Sequence, residues 1–178
     1  IDVLTDDDSP WVPFGPNAAI KHLAFDVRTN TFSNILWVKE PGVIGTHLHR
    51  GTIVMVCLEG GVRYLEYDWT ATVGGLILET PGESHTLVTE HPDGVKLFGW
   101  MTGPIEFYDD DGQFVETTDV WWFINHYETY CREQGLPGTA FSPYEISHEA
   151  YDNTNHGDER GTLVGFVSDR DADDLFRV

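Results

Sequence analysis

His47 and His49, one residue apart in Gly45-Thr46-His47-Leu48-His49, and His85 in Pro81-Gly82-Glu83-Ser84-His85 are the residues of this chain best suited to chemistry. Side chains at i and i+2 of a β-strand leave the same face, so His-x-His on one strand aims two imidazoles at one point. A third imidazole from a later strand completes a facial set with the opposite side open. Neutral imidazole is the commonest protein metal ligand, and three of them suit iron, zinc, copper, nickel or manganese, among which the motif does not choose. The first pair follows Pro41-Gly42 and the third histidine follows Pro81-Gly82, each at the start of an apolar run. Turns beside strand ends are where small barrels carry their ligand sites.

The remaining histidines carry less. His91 lies in a turn, His126 on a helix where a hydrogen bond or an interface accounts for it, and His22 in a strand with no evident partner. His148 and His156 flank an Asp/Asn-rich loop. Asp109-Asp110-Asp111-Gly112 lacks the alternating oxygen ligands and closing glutamate of a calcium loop and reads as a hairpin turn.

The elements that must position the three imidazoles are short strands. Apolar or alternating runs at 21–26, 33–39, 44–48, 53–59, 61–67, 76–79, 85–88 and 96–102 are separated by Gly-, Pro- and Asn-containing turns, the spacing of a β-sandwich or barrel. Gly60-Gly61 between two apolar runs predicts a hairpin. In 62–67, Val62, Tyr64 and Glu66 share one face and Arg63, Leu65 and Tyr67 the other. Thr117-Thr118-Asp119 offers an N-cap for a helix at about 118–135 ended by Gly135, whose stripe of Trp121, Phe123, Ile124 and Tyr127 suits packing. The tail, 137–178, is rich in Asp, Asn and Gly, with one strand-like run at 162–167.

At 178 residues the chain is expected to form one domain. Thirty acidic against ten basic residues give a formal charge of −20, which repels nucleic acid and anionic membrane surfaces alike. Only three lysines occur, Lys21, Lys39 and Lys96, a composition that suits a salt-rich cytoplasm or an acidic mesophilic protein. Cys57 and Cys131 form no Cys-x-x-Cys pair and read as buried free thiols. No signal peptide or bilayer-length apolar run is visible, so a cytoplasmic location is expected.

The two histidine segments resemble the motifs of the cupin superfamily, G-x5-H-x-H-x3,4-E-x6-G and G-x5-P-x-G-x2-H-x3-N. His47, His49 and Gly60 or Gly61 match the first, but its glutamate position falls on Ile53 or Val54. Gly75, Pro81, Gly82 and His85 match the second in contracted form, with Thr89 in place of the asparagine. The resemblance implies an all-β, single-domain cupin, a jelly-roll β-barrel. Residues 1–136 would hold the barrel with flanking N-terminal strands and the helix, and 137–178 a C-terminal extension packed on the barrel or a partner subunit. Without the glutamate, the metal would be left with three neutral protein ligands and its full positive charge.

A closer resemblance, through Trp11-Val12-Pro13-Phe14-Gly15-Pro16, Leu58-Glu59-Gly60, Arg63–Trp69 and Leu78–Leu87, is to the 2,4'-dihydroxyacetophenone dioxygenase family of cupins. It implies Fe(2+) held by His47, His49 and His85, with zinc, nickel or manganese as alternatives. The implied substrates are an aromatic α-hydroxyketone and O2, and the products 4-hydroxybenzoate and formate. An α-hydroxyketone offers two oxygens for chelation, and proton removal then needs a base within reach. Glu79, six residues before His85, is the candidate for that base or for orienting a ligand imidazole, and Glu66 the runner-up. Trp37, Tyr64, Phe98 and Trp100 are candidates to line a ring-sized slot. Other three-histidine reactions, on β-diketones or on thiols with Arg63 pairing a carboxylate, and a non-enzymatic metal-binding sensor are the alternatives. A homodimer or homotetramer is expected, since open barrel edges are usually covered.

Overall fold

A computed structural model describes residues 9–109 and 111–136. The expected extension at 137–178, its strand-like run at 162–167, and His148 and His156 lie outside the described residues. Among the described residues, eleven strands and one helix follow in order: β1 (Trp11–Pro13), β2 (Ala18–Asp26), β3 (Thr31–Val38), β4 (Gly42–His49), β5 (Ile53–Tyr64), β6 (Ala71–Thr72), β7 (Leu76–Glu79), β8 (Ser84–Thr89), β9 (Val95–Thr102), β10 (Ile105–Tyr108), β11 (Phe114–Thr118) and α1 (Val120–Gln134).

All pairings are antiparallel, in the order β1-β2-β3-β9-β5-β8-β4-β10-β11, with β6 and β7 also on β5. The first part of β5 pairs with β9 and β7, and its last residues, Arg63 and Tyr64, pair with β8. This one strand therefore serves both layers of the curled sheet, where the sequence suggested two strands and a hairpin. Gly60 explains the difference. It bends β5 with a φ of 73°, next to an irregularity at Cys57/Glu59, and a Cβ there would lie 2.0 Å from the Gly94 carbonyl oxygen. A glycine pair thus serves as a bend within a strand, not as a turn between strands.

Alternation along the strands fills the space between the layers. Phe32 and Val38 of β3, Leu97 and Met101 of β9, Ile53 and Met55 of β5, Leu87 of β8 and Ile105 of β10 share one core. Val62 and Tyr64 are buried while Leu65 is exposed, in keeping with the expected faces up to the end of β5 at Tyr64; beyond it Glu66, expected on the face of Val62 and Tyr64, is exposed. Asp109 Oδ1 accepts from the amides of Asp111 and Gln113, closing the β10–β11 hairpin at the acidic turn.

Helix α1 begins where Asp119 accepts from the amides of Trp121 and Trp122, and ends at left-handed Gly135. It buries Val120, Phe123, Ile124, Tyr127 and Cys131 against the barrel, with Phe123 4.5 Å from Phe32 between ring centroids. Trp121 departs from the expected stripe and is 37 % exposed, because the packed face is set by positions 120, 123, 124, 127 and 131. Both cysteines are buried and free.

Beneath α1, His22 is fully buried, its Nε2 lying 3.2 Å from His126 Nδ1. His126 Nε2 is 2.9 Å from the Pro13 carbonyl, which can only accept, so His126 carries its proton on Nε2. Burial, and then the charge of His126, hold the His22 pKa well below its ordinary value. A histidine buried neutral stabilises the fold above its unfolded pKa, roughly 6.5, and that contribution is lost as pH falls towards the folded value. Thermal unfolding from pH 7.5 to 5 should therefore show a falling midpoint below pH 6.5, with a shallower slope in His22→Gln than in the unmutated protein.

Candidate metal centre

Strand β4 places His47 and His49 on one face, and β8 runs antiparallel beside it with His85 directly opposite His47. The intervening turn is tied down by Gly82 N–H donating to the His49 carbonyl at 2.8 Å. One nitrogen from each of the three imidazoles falls within 4.8 Å of the others, and all three side chains are buried. The Nδ1 of His47 lies 3.2 Å from the Gly45 carbonyl, which leaves Nε2 free to face a metal. Burial is the main cause lowering His47 to about 4 and His49 to about 3, so both imidazoles are neutral at pH 7 and can bind a cation without releasing a proton.

Glu79, at the end of β7, stands beside the expected ligand set. Its Oε2 lies 3.1 Å from His49 Nε2 and 3.3 Å from His85 Nε2, and the side chain is 4 % exposed. The expected ligand group of three imidazoles stands, and Glu79, from β7 and not from the first motif, lies beside two of them, His49 and His85, where it can orient them. Burial pushes the Glu79 pKa up, but His85, His49 and Tyr64 more than offset it and hold the group below the usual carboxylate value. Despite their proximity, Glu79 Oε2 and His85 Nε2 make no well-formed hydrogen bond, and His49 Nδ1 has no partner. Buried polar atoms so rarely go unpaired that this set fits a bound divalent cation.

Tyr64 acts behind this group. Its hydroxyl donates to Glu79 Oε1, and its ring stacks on His85 with centroids 4.2 Å apart and planes 16° apart. Burial, and then the charge of Glu79, push the phenol pKa up and keep it a donor. Tyr64, expected to line a substrate slot, therefore fixes a carboxylate and an imidazole. Glu66 is exposed and accepts from the Thr86 amide at 2.9 Å. Burial pushes its pKa up, but backbone N–H bonds from Thr86 and from its own residue hold it low.

A cavity of about 70 Å³ adjoins the cluster, with His47 and His49 in its wall. Its lining is apolar, including Phe14, Leu36, Met55, Phe107 and Phe123, with Asn34 the one amide side chain. Trp37, Phe98 and Trp100, expected in this wall, are elsewhere. Leu97, Gly99 and Met101 face the cavity, so alternation sends Phe98 and Trp100 to the outside of β9, and Trp37 likewise alternates with Leu36. Trp37 lies 5.4 Å from Trp11 under the ammonium groups of Lys39 and Lys96. The sequence reading missed Asn34, Phe14, Phe107 and Phe123. The one signal for Asn34 is a polar residue at the i+2 position of the inward series Phe32, Leu36 and Val38.

No protein-family model matches the chain. A curated putrescine oxidase of Kocuria rosea is 67 % identical over 51 residues, which are 28 % of this chain; the chain spans about 11 % of that relative. An RmlC-like cupin from Ralstonia eutropha superposes with a TM-score of 0.73 at 24 % identity, covering 76 % of this chain and 90 % of that one. An acetylacetone dioxygenase from Acinetobacter johnsonii superposes with a TM-score of 0.62 at 16 % identity, covering 71 % and 89 %.

Because Tyr64 holds Glu79 and His85 in place, Tyr64→Phe should weaken zinc binding about tenfold in a chelator competition, in line with the roughly 10–100-fold cost of losing such supports. His85→Ala should remove stoichiometric binding in the same assay. The fold is that of the cupins, and the chain carries at its centre a cluster of three histidines suited to a divalent metal.

Proposed function

We propose that this protein is a metal-dependent dioxygenase that cleaves a carbon–carbon bond of a ketone chelated through two oxygens. The observation that carries the reading is a buried His47–His49–His85 cluster, of which His47 and His49 stand in the wall of an apolar cavity. His47, His49 and His85 would hold the ion, with Glu79 in reach of the same nitrogens. A bound iron(II) would supply Lewis acidity and the redox chemistry that O2 requires.

The chain's own residues supply orientation, exclusion of water and a proton acceptor. Apolar walls would keep water away from the chelated oxygens, and Glu79, held ionised beside His49 and His85, would be the group to accept a proton at the cluster. Glu66, turned to the Thr86 amide, is the weaker candidate for that task. Arg63 is bound to Glu90 at 2.6 Å, which disfavours a thiol substrate that needs it for a carboxylate.

The sequence resemblance points to an aryl α-hydroxyketone, 2,4'-dihydroxyacetophenone. With O2 it would give 4-hydroxybenzoate and formate, both oxygen atoms entering the products. A β-diketone is the second reading, and the cavity volume favours it. About 70 Å³ is near half of the roughly 150 Å³ that holds benzene, so the smaller chelator displaces less of the wall. A solved acetylacetone dioxygenase with the same fold agrees with this choice.

Iron(II)-loaded protein should consume O2 when either 2,4'-dihydroxyacetophenone or acetylacetone is added, with formate equal to O2 in the first case. Uptake with acetylacetone alone selects the second reading. His85→Ala should lose all uptake, and absence of uptake by iron-loaded wild-type protein with both ketones overturns the proposal.

A further inference from the structure

We infer that the Asn34 side of the cavity is a subsite for a hydroxyl group carried by the ligand at the end remote from the metal cluster. Asn34 lies on β3, in the layer of the barrel opposite to β4 and its histidines, and is 5 % exposed. Its amide lines the cavity, and no side-chain hydrogen bond joins it to any of the described residues. The surrounding wall is apolar, with Ile20, Leu36, Met55 and Leu97 in the same layer. An amide left unpaired in such surroundings costs stability, and a structural role would have given it a protein partner.

A second unpaired group stands beside it. His22 is the cross-strand partner of Asn34, and its Nδ1 is buried without a hydrogen bond. The tautomer of that ring is fixed from outside. With the His126 proton on Nε2, bound to Pro13, His126 Nδ1 accepts, so His22 Nε2 is the donor and His22 Nδ1 presents a bare lone pair. Asn34 Nδ2 offers a donor and His22 Nδ1 an acceptor on neighbouring strands. His22 itself is not in the cavity wall, so a hydroxyl seated on Asn34, which accepts and donates at one oxygen, would complement that lone pair through one water; a carbonyl complements only the amide. Gly99, the other cross-strand neighbour of Asn34, lines the cavity without a side chain of its own.

This rests on the reading that the ligand's other end is chelated at the histidines, and the test separates the two. Zinc-loaded protein, which cannot turn over, is titrated by calorimetry with 1,3-dihydroxypropan-2-one and with 1-hydroxybutan-2-one, which replaces the remote hydroxyl by methyl. The first should bind about tenfold more tightly, the worth of a satisfied buried hydrogen bond. Asn34→Leu should abolish the difference without weakening 1-hydroxybutan-2-one, and should leave the melting temperature of the ligand-free protein unchanged or raised. In the unmutated protein the Asn34 side-chain amide resonances should shift only with the dihydroxy ligand, a readout that needs no variant. Equal affinities in the wild type, an unchanged ratio in Asn34→Leu, a lowered melting temperature, or failure of both ketols to bind overturns the subsite. Discrimination that persists while the iron-loaded protein consumes no O2 with the ketones named above leaves the subsite standing and removes the dioxygenase reading.

Discussion

A carboxylate buried between two imidazoles is the constraint around which this barrel is arranged. Glu79 cannot be left as an isolated ion in the interior, because an uncompensated buried charge costs several kcal/mol. Tyr64 binds one of its oxygens and the Nε2 atoms of His49 and His85 face the other. Those contacts draw on four strands, β4, β5, β7 and β8, which are brought together by the bend of β5 at Gly60. The donor set, the burial that keeps His47 and His49 neutral, and the cavity beside them are consequences of one closure. A divalent cation would fit the three imidazole nitrogens together.

The sequence made the centre legible because its signal is local. Two residues at strand period and a third after a Pro-Gly turn need no knowledge of topology to be read as converging. Glu79 was legible by proximity to His85, but its partners were not, since Tyr64 is fifteen residues away on a strand whose course depended on Gly60. The Gly60-Gly61 pair carries the same local chemistry whether it turns or bends. Only the approach of Gly94, distant in the chain, decides for the bend. Strands β1, β6, β10 and β11 escaped notice because they are short, or because, as in Phe114–Thr118, their exposed residues break the apolar pattern.

The aromatic residues show a different limit. Parity along β9 was legible, so Phe98 and Trp100 had to share a face, but both faces of this sheet are apolar and parity alone cannot say which is inside. Leu76 and Leu78 of β7 are 65 % and 63 % exposed and Trp100 42 %, on the outer side. The hydrophobic surface of the layer therefore exceeds what its own core uses. The side chains that face the cavity from the same strand, Leu97 and Met101, looked less like a ring-binding wall than the aromatics did.

Because His47 and His85 are opposite one another in the β4–β8 ladder, the centre also proofreads strand alignment. A slip of one residue would send the His85 ring to the far face and leave a pair where three are needed. An ion bound during folding would contribute its binding free energy to the correctly aligned chain and not to the slipped one. The same imidazoles thereby select the barrel in which they are found.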